Sequence, residues 1–238
     1  MVKKGKPPLR PLVSICTPTF NRRPFFPFII KCFENQDYPK DRLEWIIIDD
    51  GTDPIEDLVA GIPKVKYFGY KKKMSLGEKR NLMHEKATGS ILVYMDDDDY
   101  YPPKRVETAV AKLNNSTKQI AGCSYAYMYH YNLEKLYKFK SFGRNHSTNN
   151  CFAYKKEYLL THRHDAGLDL GEEMSFTNSF TEPMIQLDSE DCIVISSHSS
   201  NTFDKTPLCI KENNQIREIL NNNIILPEII LKIKEALF

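Results

Sequence analysis

Long apolar runs are missing from this chain of 238 residues; none approaches the roughly 18 that a membrane-crossing helix requires. The basic N-terminus, Met1 to Pro8, has no apolar core behind it and does not read as a secretory leader, so the expectation is a soluble, cytoplasmic protein without an integral membrane segment. An excess of either charge is also lacking. The 33 basic residues stand against 31 acidic ones, which excludes a global field able to gather nucleic acid or an anionic membrane. Any anion site must therefore be local. No Cys-x-x-Cys pair occurs, and the six cysteines (Cys16, Cys32, Cys123, Cys151, Cys192 and Cys209) read as reduced, mostly buried thiols rather than a zinc or redox centre. The loop Pro18-Thr19-Phe20-Asn21-Arg22 contains no glycine, which argues against a glycine-rich cradle for a triphosphate.

What is present in the first half is an alternation of strand and helix patterns. Leu12 to Thr17 reads as a strand, Phe25 to Phe33 as a helix, Leu43 to Ile48 as a second strand and Val65 to Tyr70 as a third. Ser75-Leu76-Gly77-Glu78 matches a capping box and predicts a helix to about Ala87, ended by Gly89. Ser90 to Met95 is an apolar strand, and Pro102-Pro103 opens a helix with the stripe Val106, Ala109, Val110 and Leu113. Such alternation implies an α/β fold with a mostly parallel central sheet flanked by helices, whose ligands bind beyond the C-terminal strand ends.

The second half differs in character. Tyr125, Tyr127, Tyr129 and Tyr131 alternate along a strand that can pair with Lys135 to Lys140; this tyrosine face reads as a sheet face before a sugar platform. Asn150 to Tyr154 reads as a short strand, Gly171 to Phe180 as a helix, and Cys192 to Ile195 as a late strand. Ile210 to Leu220 and Ile225 to Leu237 are amphipathic and read as helices packed on the domain. The chain thus divides into a basic tail (1–10), one domain (11–208) and a helical extension (209–238).

Tyr94 to Tyr101 carries four consecutive carboxylates, Asp96 to Asp99, at the end of an apolar strand. Adjacent carboxylates repel one another, and hard divalent ions such as Mg2+ and Mn2+ bind such oxygens and share them with substrate phosphates. A solvated acidic turn has the same residues. The Asp49-Asp50 pair ends the second strand, so the two acidic groups and the loop after the first strand fall on one sheet edge. That convergence favours the metal and phosphate reading.

In this order the segments resemble the family 2 glycosyltransferases of the GT-A fold, over about residues 11 to 204. Val13 to Arg22 is similar to the family's opening strand and Pro-Thr-Tyr-Asn-Arg loop, and Glu44 to Thr52 to its strand ending in Asp-Asp-Gly-Ser. Gly77 to Asn81 is similar to its Gly-x-x-x-Arg-Asn helix start, and Ala87 to Asp99 to its Ala-Thr-Gly strand with an Asp-x-Asp-Asp end.

The resemblance implies a metal-dependent, inverting transfer of a sugar from a nucleotide-sugar donor, UDP-linked, to a hydroxyl of a glycan or protein acceptor. Thr17, Pro18, Thr19, Asn21 and Arg22 would contact the nucleoside, and Asp49 or Asp50 would accept a hydrogen bond from the base. Gly77 and Arg80 would lie on the donor side, with Arg80 facing the diphosphate or base. Asp98 would bind the metal, Mn2+ or Mg2+, with Asp96 reaching the ribose or a metal-bound water; Asp97 adds a charge where the family usually has Ser or Ala. Glu173, with Glu172 next, would be the base, and His198 a further metal ligand. His162 and His164 read instead as a solvated loop or an acceptor contact. A sugar-phosphate nucleotidyltransferase and a catalytically silent nucleotide-sugar-binding module are the rival readings, and a homo-oligomer is compatible with the sequence.

Overall fold

Every residue of β1 (Val13–Thr19) and of β2 (Leu43–Asp49) is buried, the polar Ser14, Thr17, Thr19, Glu44 and Asp49 included, as befits central strands covered on both faces. The computed structural model describes residues 10–210, 216–219 and 230. Between and after these strands come α1 (Phe26–Glu34), α2 (Glu56–Val59), β3 (Val65–Gly69), α3 (Leu76–Lys86), β4 (Ile91–Tyr94) and α4 (Arg105–Asn114). The second half adds β5 (Ile120–Gly122), β6 (Tyr127–His130), β7 (Lys135–Phe139), β8 (Ala153–Lys155), α5 (Glu172–Phe176) and β9 (Met184–Gln186). It closes with α6 (Ser189–Cys192), β10 (Val194–Ser197), α7 (Thr206–Ile210) and β11 (Ile216–Glu218).

The main sheet has the order β3-β2-β1-β4-β8-β5-β9; β8 alone runs antiparallel to its neighbours. A smaller sheet has the order β10-β6-β7-β11. Side chains that alternate along the central strands serve opposite faces. Val13, Ile15, Trp45 and Ile47 pack with Phe26 and Ile29 of α1 and Val106 and Leu113 of α4, whereas Cys16, Ile46, Ile48 and Tyr94 pack with Met83 of α3 and Phe176 of α5. Helices on both faces leave the strand ends as the open surface. The register sets Thr19 opposite Asp49, and Cys16 opposite Tyr94, so the loop after β1, the Asp49-Asp50 pair and the Asp96 run share one edge.

The Ala-Thr-Gly segment has a structural use. The Thr88 amide and hydroxyl and the Gly89 amide all donate to the Glu44 carboxylate, fastening the end of α3 to β2, and a Cβ on Gly89 would lie 2.6 Å from the Ser14 nitrogen. Burial opposes the charge on Glu44, yet Lys66, Ser14 and Thr88 hold its carboxyl at about 2.

Several expectations need correction. The first C-terminal segment is not one helix: α7 ends it at one side, and Ile216–Glu218 is a strand that pairs antiparallel with β7, Ile216 buried and Arg217 exposed. Tertiary pairing with an available edge overrides the helical period there. The second segment, Ile225 to Leu237, lies outside the described residues apart from the buried Ile230. The helix opened by Gly171 stops at Phe176 and excludes Phe180, because Asn178, Ser179 and Phe180 all adopt positive φ. Cys192 closes α6, and the late strand is Val194–Ser197. Asn150 lies in a 3-10 turn, with the strand beginning at Ala153. Tyr127, Tyr129 and Tyr131 are buried, so only Tyr125 presents a ring to solvent. No helix among the described residues is long and apolar enough to cross a membrane.

Ser75 caps α3 as its spacing predicts, accepting from the Glu78 amide at 3.1 Å. Gly77 then lets the loop at 165–169 pack on the first turn: its amide donates to the Leu168 carbonyl at 2.9 Å, and an added Cβ would lie 1.9 Å from the Asp165 carbonyl oxygen. That loop leads into α5. Gly77→Ala must displace it, and is expected to lower stability by about 1–3 kcal/mol, read as a lower urea midpoint with an unchanged slope. A midpoint equal to that of the wild type would show that the loop is not held there.

Candidate active site

A cavity of about 710 Å3 opens over the strand ends. Pro18, Thr19, Phe20 and Arg22 enter it from β1, Lys79 and Arg80 from α3, Asp96 to Asp99 from the end of β4, and Glu172 and Glu173 from α5. Asn149 and Asn150 complete it from the loop before β8.

Arg80 is the centre of the polar groups. It is 1% exposed, donates from both terminal nitrogens to Asp96 at 3.2 and 3.0 Å, and donates from Nε to Glu172 at 3.0 Å. Its guanidinium also lies 4.7 Å from the Tyr94 ring centroid. Burial works against its charge, but Asp96 and Glu172 outweigh burial and raise its pKa well above the ordinary value. Arg80 therefore pairs with both the first acid of the run and one of the two glutamates, sharing its single charge between them.

The four aspartates diverge. Asp97 is pushed up to about 8, by burial first and by Asp98 next, against the pull of Arg22, whose Nε is 3.8 Å away. Asp98 goes the other way. Burial opposes its charge, but His198 and Arg22 hold it at about 2, with His198 Nε2 at 3.2 Å and the Asn201 amide at 3.0 Å from Oδ2. Asp99 accepts from the Ser196 amide at 2.8 Å and the Asn150 side chain at 2.7 Å, joining the run to β10 and to the loop before β8. Its pKa is raised well above the usual range, mainly by burial and then by Asp98 and Asp96.

The two glutamates part in the same way. Glu172 is buried against Arg80, whereas Glu173 is half-buried at the cavity and accepts from the Asn149 side-chain amide at 3.4 Å. Burial raises the Glu173 pKa, Glu172 adds to it, and Arg80 only partly offsets this.

Of the residues singled out in the sequence, Pro18, Thr19, Arg22, Arg80, Asp96, Asp97, Asp98, Glu172 and Glu173 line the cavity. His198 stands behind Asp98. Thr17 does not line it; its hydroxyl donates to the Met95 carbonyl and accepts from Trp45 Nε1 within the sheet. Asn21, at φ 54° and exposed, accepts from the Thr52 and Asp53 amides and does not line the cavity. Asp49 accepts from the Gly51 and Ile55 amides and the Tyr67 hydroxyl; Asp50 accepts from the Met74 amide and Lys79 Nζ. Both are buried, and neither lines the cavity.

His164 is not in a solvated loop. It is 3% exposed: Nδ1 donates to the Glu172 carbonyl at 3.1 Å, so Nε2 accepts from the Tyr94 hydroxyl at 3.0 Å. His84 Nε2 lies 2.6 Å from that hydroxyl and 2.8 Å from that of Tyr154. Burial, then Arg80, lowers the pKa of His84 to about 3 and of His164 to about 2, so neither competes with Arg80 for the carboxylates. His162 stacks on Tyr158 at 3.8 Å and contacts Glu182. Lys79, Asn149 and Asn150 were not legible beforehand. One more lysine near Lys71 to Lys73, and two asparagines in a polar stretch, carry no local signal.

Comparison with known proteins bears on the family and the fold. A family profile described as glycosyl transferase family 2 matches residues 14–165. A GalNAc(5)-diNAcBac-PP-undecaprenol beta-1,3-glucosyltransferase of Campylobacter jejuni is 33% identical over 120 residues, covering 47% of this chain and 38% of that protein. The poly(ribitol-phosphate) beta-N-acetylglucosaminyltransferase TarS of Staphylococcus aureus is 25% identical over 111 residues, covering 41% and 18%. The chain thus spans well under half the length of these relatives. Among solved structures, S. aureus TarS 1-349 with UDP-GlcNAc superposes with a TM-score of 0.62 at 16% identity, over 79% of this chain and 59% of that one. The mannosyltransferase PcManGT of Pyrobaculum calidifontis, with GDP-Man and Mn2+, gives 0.64 at 17%, over 96% and 69%. Such low identities speak for the fold, a GT-A arrangement.

Arg80 allows a direct test of the arrangement. Arg80→Met leaves two acidic groups facing each other without a cation and is expected to cost about 3–5 kcal/mol in denaturant unfolding at neutral pH. Adding Glu172→Leu should recover part of that loss; no recovery would mean that the pairing is not what Arg80 supplies.

Proposed function

Because the chain belongs to glycosyl transferase family 2, we propose that it transfers a sugar from a nucleotide-sugar donor, UDP-linked, to an acceptor hydroxyl, with inversion and with the help of a divalent metal. The observation that carries this reading is the unequal treatment of Glu172 and Glu173. One is paired with Arg80, while the other faces the cavity with a raised proton affinity, as a base requires. In the transfer, the acceptor oxygen forms a bond to the anomeric carbon as the bond from that carbon to the diphosphate oxygen breaks. The electron pair leaves with the nucleoside diphosphate, and the hydroxyl proton passes to the Glu173 carboxylate. A single displacement of this kind inverts the anomeric centre.

The nucleoside end of the donor is assigned to the β1 side, where Phe20 lies beneath the ammonium groups of Lys73 and Lys79, at 4.6 and 5.8 Å from its centroid, and Asp50 anchors Lys79. Lys79 and Arg22 supply positive charge for the diphosphate. The choice of uridine is supported by TarS, solved with UDP and with UDP-GlcNAc; a mannosyltransferase of the same fold carries GDP-Man with Mn2+.

The residues fit a divalent metal shared with the donor. Asp98 keeps its charge, with His198 Nε2 at 3.2 Å from its Oδ2, and oxygen with imidazole donors suits Mn2+. Among the described residues no three His, Cys, Asp or Glu side chains are arranged to hold an ion, so phosphate oxygens would complete its shell. Asp98 would be the direct ligand, with His198 and Asp96 beside it. Mn2+ or Mg2+ bound there would neutralise charge on the departing diphosphate.

Wild-type protein is expected to hydrolyse or transfer from at least one of UDP-GlcNAc, UDP-glucose and GDP-mannose with Mn2+; inactivity against a broad donor panel would sink the proposal. Glu173→Gln should lower transfer by about 100-fold or more while thermal stabilisation by UDP persists. Since burial raises the Glu173 pKa, the base form is lost on acidification at a higher pH than for an ordinary glutamate, so the acid limb of kcat/KM should lie above about 4.3. Undiminished transfer by the variant would place the base elsewhere. Asp98→Ala should remain folded but lose the Mn2+-dependent part of the UDP stabilisation, and retention of that part would remove Asp98 from the metal site.

A further inference from the structure

On the glycosyltransferase reading above, we propose that the acceptor is a saccharide, one of whose pyranose rings lies against Phe142, at the head of an aromatic row in the cavity that Glu173 also lines. Phe142 lines the cavity and is 42% exposed, so part of its ring is open to a ligand there. Its ring centroid is 6.2 Å from that of Phe139 and 4.8 Å from that of His146, and His146 is 4.6 Å from Phe180. Burial lowers the His146 pKa, which keeps the imidazole uncharged and the row apolar. The tyrosine ladder of β6 cannot serve instead, because its rings at 127, 129 and 131 are buried.

The row is held in place. The Phe142 amide donates to Ser124 Oγ at 3.0 Å, and the Gln186 side chain donates to the carbonyls of Arg144 and His146, both at 3.0 Å. The Cys123 amide donates to Ser147 Oγ at 2.9 Å, and Gly122 is needed for that approach, since a Cβ there would lie 2.4 Å from the Ser147 side chain. The same loop ends at Asn149, which contacts Glu173. One anchored segment therefore presents an exposed aromatic face at one end and the base's neighbour at the other.

A pyranose matches this pattern. Its flat face of C–H groups, polarised by the ring oxygens, meets the negative face of an aromatic ring, and its hydroxyl rim meets polar groups at the edge. Polar groups in the same cavity lining include Ser124, Thr148 and Asn149. The hydroxyl of a serine or threonine brings no flat face to stack.

The test uses the full chain with Mn2+ and its active UDP-sugar. The acceptors are methyl glycosides of glucose, galactose, mannose and N-acetylglucosamine, against a serine/threonine peptide and octanol. A methyl glycoside should accept, and Phe142→Ala should raise its KM about tenfold, the order that stacking on one ring supplies, with kcat and the donor KM moving less than about threefold. Phe142→Tyr should restore the acceptor KM. An unchanged acceptor KM in Phe142→Ala, or transfer only to the peptide or to octanol, would overturn the proposal while leaving the transferase reading intact. Absence of any donor turnover by the wild type would instead overturn the reading on which both stand.

Discussion

A guanidinium with almost no access to water, held between carboxylates 16 and 92 positions away in the chain, organises the ligand edge of this molecule. Desolvating Arg80 is costly, and only the combined attraction of Asp96 and Glu172 offsets that cost. Its position follows from the scaffold: α3 is fixed at one end by the Ser75 cap and at the other by the Glu44 clasp on Thr88 and Gly89. The consequence is a fixed distance between the end of β4 and the first turn of α5, the two elements that carry the acidic groups of the cavity. Arg80 thereby distinguishes the acids: Asp96 and Glu172 accept its hydrogen bonds, and Asp98 and Glu173 do not.

Four adjacent aspartates are tolerated because they do not share one environment. Asp96 is paired, Asp98 is held ionised by His198 and Arg22, and burial drives Asp97 and Asp99 toward their neutral forms. Repulsion within the run is thus relieved twice, by pairing and by raised proton affinity. The two acids without an assigned purpose in the sequence have distinct surroundings. Asp99 ties the run to β10 and the loop before β8, and Asp97 lies 3.8 Å from Arg22 Nε, beside the ionised Asp98 that attracts the same guanidinium.

Beneath Arg80, a polar network occupies what would otherwise be apolar core. Tyr94, Tyr154, His84 and His164 satisfy one another in the face packed by Met83 and Phe176, and His164 passes the chain of hydrogen bonds to the backbone of Glu172. Neutral imidazoles suit this place, since a second cation next to Arg80 would weaken its hold on both carboxylates. The arrangement also joins the 162–169 loop to α3 through the paired contacts of Asn81 with the His164 backbone, so the approach to Glu173 is set by packing on both sides.

The local rules were enough for the first half of the fold. The apolar runs of β1, β2 and β4, the Ser75 cap and the apolar stripe of α4 each lie within a few consecutive residues, where periodicity and capping act, and they imply the parallel sheet and its ligand edge. They were not enough for Asn178 to Phe180, where positive φ ends α5, or for Ile216 to Glu218, where an open edge of β7 takes a strand from a helical pattern. The acidic run and the Glu172-Glu173 pair were visible as letters, and so was their proximity to strand and helix ends. Which acid is neutralised, which is kept ionised and which is left to face the cavity depends on Arg80, Arg22, His198 and Asn149, each brought from another segment. Burial and charge at close range act through space and not along the chain, and for that reason only the tertiary structure decided them.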